Sequence, residues 1–261
     1  MSTLLELSRV SKSFGGLVAV RDLSFSVLEG EILGLIGPNG AGKTTAFNLV
    51  AGIYKPDSGS IKISGKEIAG KKPHEISRFG ISRTFQTAKP FSRMSVVENV
   101  AVGGLFGRNH VLSVRKAKAA ANDILRYTSL DSKTNALAGS LTLAEQRRLE
   151  LARALATNPR ILMLDEVMAG LNQLEISEEL ALLRKLNHEK KITLVVIEHV
   201  MKTMMELCGR IVVMDQGEKL VEGTPQQVAS NPEVIKAYLG EKKAGMKSEP
   251  LEPQSNSGVS S

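Results

Sequence analysis

Two short stretches carry most of the chemistry open to this chain. Gly37-Pro38-Asn39-Gly40-Ala41-Gly42-Lys43-Thr44 fits G-x-x-x-x-G-K-[ST]. Its glycines let successive backbone N–H groups curl around the β- and γ-phosphates of a nucleotide with no Cβ in the way. A helix beginning near Lys43 points its positive end at the same anions. Lys43 would reach the β/γ oxygens, the Thr44 hydroxyl would hold Mg²⁺, and Thr45 would add a hydroxyl contact on the α-phosphate side. The second stretch, Ile161-Leu162-Met163-Leu164-Asp165-Glu166, is an apolar strand ending in two carboxylates. Asp165 would hold Mg²⁺ through water, and Glu166 would orient or deprotonate the water attacking the γ-phosphate. Alone, the pair reads equally well as two solvated acids after a strand; the phosphate loop upstream favours the catalytic reading.

Two further polar residues follow short apolar segments. Gln86 comes after Ile81–Phe85, and reads either as a contact to Mg²⁺ or the attacking water or as a surface-loop glutamine. His199 follows Ile197-Glu198 at the end of a β-branched run, and reads either as a sensor of the γ-phosphate or as a strand-end histidine with a structural partner. Lys43, Gln86, Asp165-Glu166 and His199 all fall at strand ends or in the loops that follow, which favours the first reading of each.

The elements that must position these residues are legible in the spacing. Leu23, Phe25 and Val27 alternate with Ser24 and Ser26, a period of two, and Gly15-Gly16 punctuates the run before Leu17. An N-terminal hairpin is the expectation. Ile32–Ile36 is a continuous apolar run of the kind buried in a parallel sheet, with a helix expected over Thr44–Ala51. From about Ser95 to Ala156 the apolar spacing turns helical, with Val114, Ala117, Ala121, Ile124 and Leu125 on one stripe. Strand character returns at Ile161–Leu164 and Ile192–Ile197 around a helical stretch, Leu174–Asn187, which is a βαβ pattern. Ile211–Met214 and Lys219–Val221 read as a late hairpin.

Composition sets the class. With 261 residues, 42% hydrophobic and 23% charged, the chain is long enough for a real core and too apolar to be wholly disordered. No run of about 18 apolar residues occurs, so no bilayer span is expected, and the start, Met1–Glu6, lacks the pattern of a secretory signal. The single cysteine, Cys208, cannot form an internal disulfide and fits a reducing compartment. The net charge of +7 permits nucleic acid, an anionic membrane or a phosphate ligand. The basic pairs are dispersed, as Lys71-Lys72, Arg147-Arg148 and Lys190-Lys191 show, so a solvated surface is expected and nucleic acid is not.

Taken together, these motifs resemble the ATP-binding subunits of ABC transporters, over about Leu4 to Glu241. The phosphate loop matches Walker A, Gln86 the Q-loop, Ile161–Glu166 Walker B with its catalytic glutamate, Ala169–Asn172 the D-loop and His199 the switch histidine. Phe14 matches the aromatic that stacks on adenine in that family, although on sequence alone it reads equally as an ordinary hairpin aromatic. The resemblance implies an α/β fold: a RecA-like P-loop core with an N-terminal antiparallel β-subdomain and an inserted helical subdomain at about 87–156. Residues 1–240 would form the nucleotide-binding domain and 241–261 a mobile tail. It also implies ATP and Mg²⁺ as ligands. Implied partners are a second ATP-binding subunit, two membrane permease subunits and, indirectly, a substrate-binding protein, at the cytoplasmic face of the inner membrane. Arg83-Thr84-Phe85-Gln86, Met168–Asn172, Glu198–Lys202, Glu222-Gly223-Thr224-Pro225 and Tyr238–Glu241 are similar to the subgroup serving branched-chain amino-acid uptake. The lipopolysaccharide-export ATPase is a near relative with a similar end, so the direction of transport stays open here.

The chain departs from that family at the signature, which usually begins Leu-Ser-Gly-Gly-Gln and here reads Leu141-Thr142-Leu143-Ala144-Glu145-Gln146. In the family this segment grips the γ-phosphate on the facing subunit. Thr142 keeps the hydroxyl, whereas Ala144 places a methyl where a phosphate would approach the backbone and Leu143 adds bulk. Thr142 and Glu145 also read as a capping box for the helix that follows, and the two readings are compatible. Val167 replaces the proline usual after the glutamate, and a looser turn is expected there. Asymmetry between the two ATP sites of the assembled pair is therefore expected. Changing the two catalytic glutamates one at a time should cost unequal amounts of ATP hydrolysis; equal losses would count against it.

Overall fold

The computed structural model describes residues 2–84, 90–108 and 113–244, with side chains through Tyr238. Two sheets and an all-helical insertion build it. β1 (Thr3–Phe14) and β2 (Leu17–Leu28) form the hairpin read from the Gly15-Gly16 pair. With β4 (Ser58–Ile63) and β5 (Lys66–Glu67) they make an antiparallel sheet in the order β2-β1-β4-β5. The second sheet has the order β10-β9-β3-β8-β7-β6, from β3 (Ile32–Ile36), β6 (Ile81–Arg83), β7 (Ile161–Asp165), β8 (Thr193–Ile197), β9 (Arg210–Asp215) and β10 (Glu218–Gly223). All its pairings are parallel except the β9–β10 hairpin at the edge.

The apolar runs are continuous because both faces of the parallel sheet are covered. Leu33, Leu35, Met163, Val195 and Val212 point to one side, where they join the β1–β2–β4 sheet and Phe47 of α1 (Lys43–Val50). Ile36, Leu162, Leu164, Val196 and Val213 point to the other, against α6 (Gln173–Lys190) and α7 (Met201–Leu207). Between β6 and β7 in the chain lie α3 (Val96–Phe106), α4 (Val114–Tyr127) and α5 (Leu143–Ala156), which bury a core of their own. Ala117, Ala121 and Leu125 form the inner stripe of α4, whereas Val114, at the start of the helix, is 57% exposed and stands outside it. After α2 (Pro73–Arg78) and α8 (Pro225–Ala229) are placed, the last helix, α9, runs Pro232–Ala244, past Glu241. Among the described residues no helix is long and apolar enough to cross a membrane.

One buried charge stands apart from the site. Glu179 of α6 is 3% exposed, and burial pushes its carboxyl from 4.5 up to about 7, opposed by the nearby Arg148 and reinforced by Glu178. Unfolding restores the ordinary value. Between pH 4.5 and about 7 the folded chain therefore holds a proton that the unfolded chain has lost, and stability falls as pH rises through that window. Glu179→Gln should stabilise the protein at pH 8 by on the order of 2 kcal/mol, or roughly 4–8 °C in Tm, and have little effect at pH 4.5. Thermal denaturation at both pH values checks this; an equal gain at both would show that charge is not the cause.

Candidate nucleotide site

Register brings the strand ends together. Gly34 of β3 lies beside Val196 of β8, Asp165 of β7 beside Ile197, and Arg83 of β6 beside Met163. The loops that leave β3, β7, β8 and β6 therefore emerge at one edge, where ligands bind in such sheets.

The loop after β3 is held close to its supports. A Cβ at Gly42 (φ 93°) would stand 2.4 Å from the Ala19 carbonyl oxygen, and one at Gly37 (φ 151°) would stand 2.1 Å from the Met214 carbonyl oxygen. Only glycine fits either position. Gly42 is the N-cap of α1, and no side chain caps the helix, whose positive end faces the loop. Lys43 is buried; its Nζ donates to the carbonyl oxygens of Gly37, at 2.7 Å, and Pro38, at 2.8 Å. Pro38 and Ala41 are buried, Asn39, Gly40 and Thr44 are exposed, and Thr45 is half-buried. Phe14 is 41% exposed at the end of β1, edge-on to Tyr54 with ring centroids 5.0 Å apart and with the Lys12 ammonium 5.4 Å from its ring.

The carboxylates differ in their surroundings. Asp165 is buried; its Oδ2 accepts from Arg83 Nη2 at 2.6 Å, while Oδ1 is buried with no protein partner among the described residues. Glu166 adopts a left-handed backbone (φ 52°) and its N–H donates to the Ile197 carbonyl at 2.9 Å, tying the turn to β8. Glu166 Oε1 lies 2.5 Å from His199 Nε2. The geometry thus joins Glu166 and His199, from different strands, into one hydrogen-bonded pair. Gln86 lies outside the described residues.

The turn after Glu166 is not loose. Val167 and Met168 are buried, the Met168 N–H donates to Glu198 Oε1 at 2.9 Å, and Ala169 and Leu171 close consecutive turns onto Glu166 and Met168. These bonds and the burial of Val167 and Met168 hold the turn, which corrects the looser one expected from Val167. Burial raises the Glu198 carboxyl, the Met168 N–H opposes that, and neighbouring Glu166 reinforces it. Motif reading takes Glu198, Arg83 and Thr84 only as marks of the subgroup resemblance and gives them no part in supporting the site. Their signal was a charged or polar side chain set within or beside an apolar strand run.

Thr142 and Glu145 form the capping box. The Glu145 N–H donates to Thr142 Oγ1 at 3.3 Å, and the Thr142 N–H donates to Glu145 Oε2 at 2.9 Å. The hydroxyl accepts within its own helix and so keeps its proton to donate elsewhere. Leu143 is 49% exposed and Ala144 half-buried. Leu143 Cδ2 rests against Gly170, 3.2 Å from where a Cβ would be, linking the α5 N-terminus to the turn after β7.

The residues fit Mg²⁺ held jointly with phosphate: one buried carboxylate with an uncommitted oxygen and one exposed hydroxyl, Thr44. Among the described residues no cluster of three or more His, Cys, Asp or Glu could hold a metal alone.

Comparison with known proteins agrees with this geometry. The ABC transporter family model matches residues 20–169, and the model of the branched-chain amino acid ATP-binding cassette transporter matches 218–244. The high-affinity branched-chain amino acid transport ATP-binding protein BraF of Pseudomonas aeruginosa is 45% identical over 250 residues, covering 91% of this chain and 98% of that protein. LivG of Escherichia coli K12, bearing the same description, is 42% identical with the same coverage. The lipopolysaccharide export system ATP-binding protein LptB of Acidithiobacillus ferridurans is 34% identical, covering 92% of this chain and 98% of that protein. The crystal structure of an ABC transporter cassette in its ADP conformation superposes with a TM-score of 0.83 at 30% identity, covering 92% of this chain and all of that one. A dimeric bacterial ABC transporter cassette gives 0.77 at 26% identity, covering 85% and 99%. These matches, over most of the chain, show the family: the chain belongs to the ABC transporter family and is an ATP-hydrolysing, ATP-binding cassette.

Proposed function

We propose that this ATPase powers import of branched-chain or related amino acids. The observation that carries the reading is the match of residues 218–244 to the branched-chain amino acid cassette model, together with 45% identity to BraF across nearly the whole chain. Identity to the lipopolysaccharide-export protein is lower, at 34%, so export is the weaker reading. On this reading residues 1–240 act as one nucleotide-binding domain, with 87–156 as its helical subdomain, at the cytoplasmic face of the membrane.

The site residues take the following roles. The Gly37–Gly42 backbone and the first turn of α1 cradle the β- and γ-phosphates, Lys43 exchanges its two carbonyl partners for phosphate oxygens, Thr45 contacts the α-phosphate side, and Phe14 stacks on adenine. Mg²⁺, held by Thr44, Asp165 and Gln86 with the phosphates, would neutralise charge on the transferring phosphoryl group. Glu166 positions the attacking water and takes its proton. His199, bonded to Glu166, orients that carboxylate and senses the γ-phosphate. Thr142 and the N-terminus of α5 serve the ATP of the facing subunit. Glu145 adds a carboxylate to the first turn of α5, and its capping bond to the Thr142 N–H holds it below the ordinary carboxylate range, so it stays charged. That charge, with the Ala144 methyl, supports a weaker partner site.

The partners are a second cassette subunit, two permease subunits and a substrate-binding protein. A groove of about 460 Å³ between the end of α1, α2 and β6 on one side and α3 and α5 on the other, with Ile53, Phe106 and Arg153 along it, supports docking of a permease. Ile53 and Phe106 are 43% and 70% exposed.

Glu166→Gln should lower kcat by roughly 10²–10⁴-fold while ATP binding persists, and Lys43→Ala should abolish binding. An unchanged kcat in the glutamine variant would remove Glu166 from the chemical step. With the permease pair and binding protein in vesicles, the wild type should drive ATP-dependent leucine accumulation; ATP turnover with no movement of leucine, isoleucine or valine would overturn the cargo assignment.

A further inference from the structure

We infer that Arg83 is a positioning residue for the metal carboxylate: it holds Asp165 by one oxygen and so presents the other toward the nucleotide's metal. This rests on the reading of Asp165 as the Mg²⁺ ligand proposed above. Arg83 ends β6, and its side chain is 7% exposed against 2% for Asp165. Its guanidinium has these contacts among the described residues. Nη2 donates to Asp165 Oδ2 at 2.6 Å, Nη1 donates to Asn48 Oδ1, and the group lies 5.7 Å from the Phe47 ring. Asn48 and Phe47 belong to α1, the helix whose first turn carries Lys43 and Thr44. The next residue, Thr84, takes the Asp165 N–H on its Oγ1 at 3.3 Å. Asp165 is thus gripped by backbone and by side chain from the same end of β6, and the grip is braced on the phosphate-binding helix.

A wholly structural role is a poor account of this arrangement. A buried Arg–Asp pair is on average no more stabilising than apolar residues of the same size. The pair's consequence is geometric. With Oδ2 committed, Oδ1 is the oxygen left, buried and without a protein partner among the described residues. The rigid planar fork suits this; a lysine would offer a point charge without a plane. Removing the guanidinium has two opposed effects on metal affinity. It takes away a repelling positive charge, and it releases the carboxylate from its orientation. The contacts to Asp165, Asn48 and Phe47 and the near-complete burial make orientation the dominant effect.

The test is Mn²⁺ binding to the protein–ATP complex, read by electron paramagnetic resonance, beside ATP affinity measured in EDTA. Arg83→Met should weaken Mn²⁺ binding about tenfold or more, with ATP affinity in EDTA changed less than about twofold. Arg83→Lys should restore part of the loss, and Asn48→Ala, which frees one arm of the guanidinium, should shift Mn²⁺ affinity in the same direction by less. A folded Arg83→Met protein that binds Mn²⁺ as well as the wild type, or better, overturns the inference. If that variant does not fold, unchanged Mn²⁺ affinity in both Arg83→Lys and Asn48→Ala overturns it instead. Failure of the wild-type complex to bind Mn²⁺ would overturn the metal reading itself, which is a different result.

Discussion

The close approach of the phosphate loop to two backbone carbonyls governs the rest of the site. Gly42 meets the Ala19 carbonyl of β2, and Gly37 meets that of Met214 in β9. Neither place admits a side chain. The loop is thereby pinned between the antiparallel sheet and the parallel one, and the N-terminus of α1 is aimed along the edge where β7 and β8 end. Without that pin, the N-terminus of α1 and the carboxylates after β7 would belong to separate surfaces. The antiparallel sheet is thus more than an appended layer: it supplies one of the two walls.

Around that edge the protein works through paired contacts between strands. Asp165 is held from β6, Glu166 from β8, and Glu198 of the β8 end in turn receives the Met168 N–H beyond β7. Each of these carboxylates is positioned by the neighbouring strand and not by its own. Neighbouring strands lie only about 4.8 Å apart, so a side chain at one strand end reaches the next without a long flexible arm. The left-handed backbone of Glu166 fits the same scheme, since it turns the chain just where the carboxylate must reach His199.

The helical insertion has a separate core and touches this network at a few places. Leu143 against Gly170 is one, joining the start of α5 to the turn after Glu166. The departure at the signature therefore has an effect inside the chain: the bulk at position 143 rests on Gly170. The capping box shows how one residue serves two ends, because Thr142 accepts from its own helix through oxygen and retains a hydrogen to donate.

Much of this was legible in the residues alone. The phosphate loop, the carboxylate pair, the N-terminal and late hairpins, the βαβ order and the capping box all follow from local rules: glycine spacing, periods of two and 3.6, and side chains that bond within three residues. These are short-range properties, and the chain order states them outright. Tertiary structure decided what depends on strands distant in sequence lying side by side. Arg83 and Asp165 are 82 residues apart, Glu166 and His199 33 apart, and Gly42 meets Ala19 across the boundary of two sheets. Whether the turn at Val167 was loose turned on Glu198, on another strand. A motif names the groups that can bind phosphate and move a proton; only the register of the sheet sets which oxygen of which carboxylate is held and which is left for the ligand.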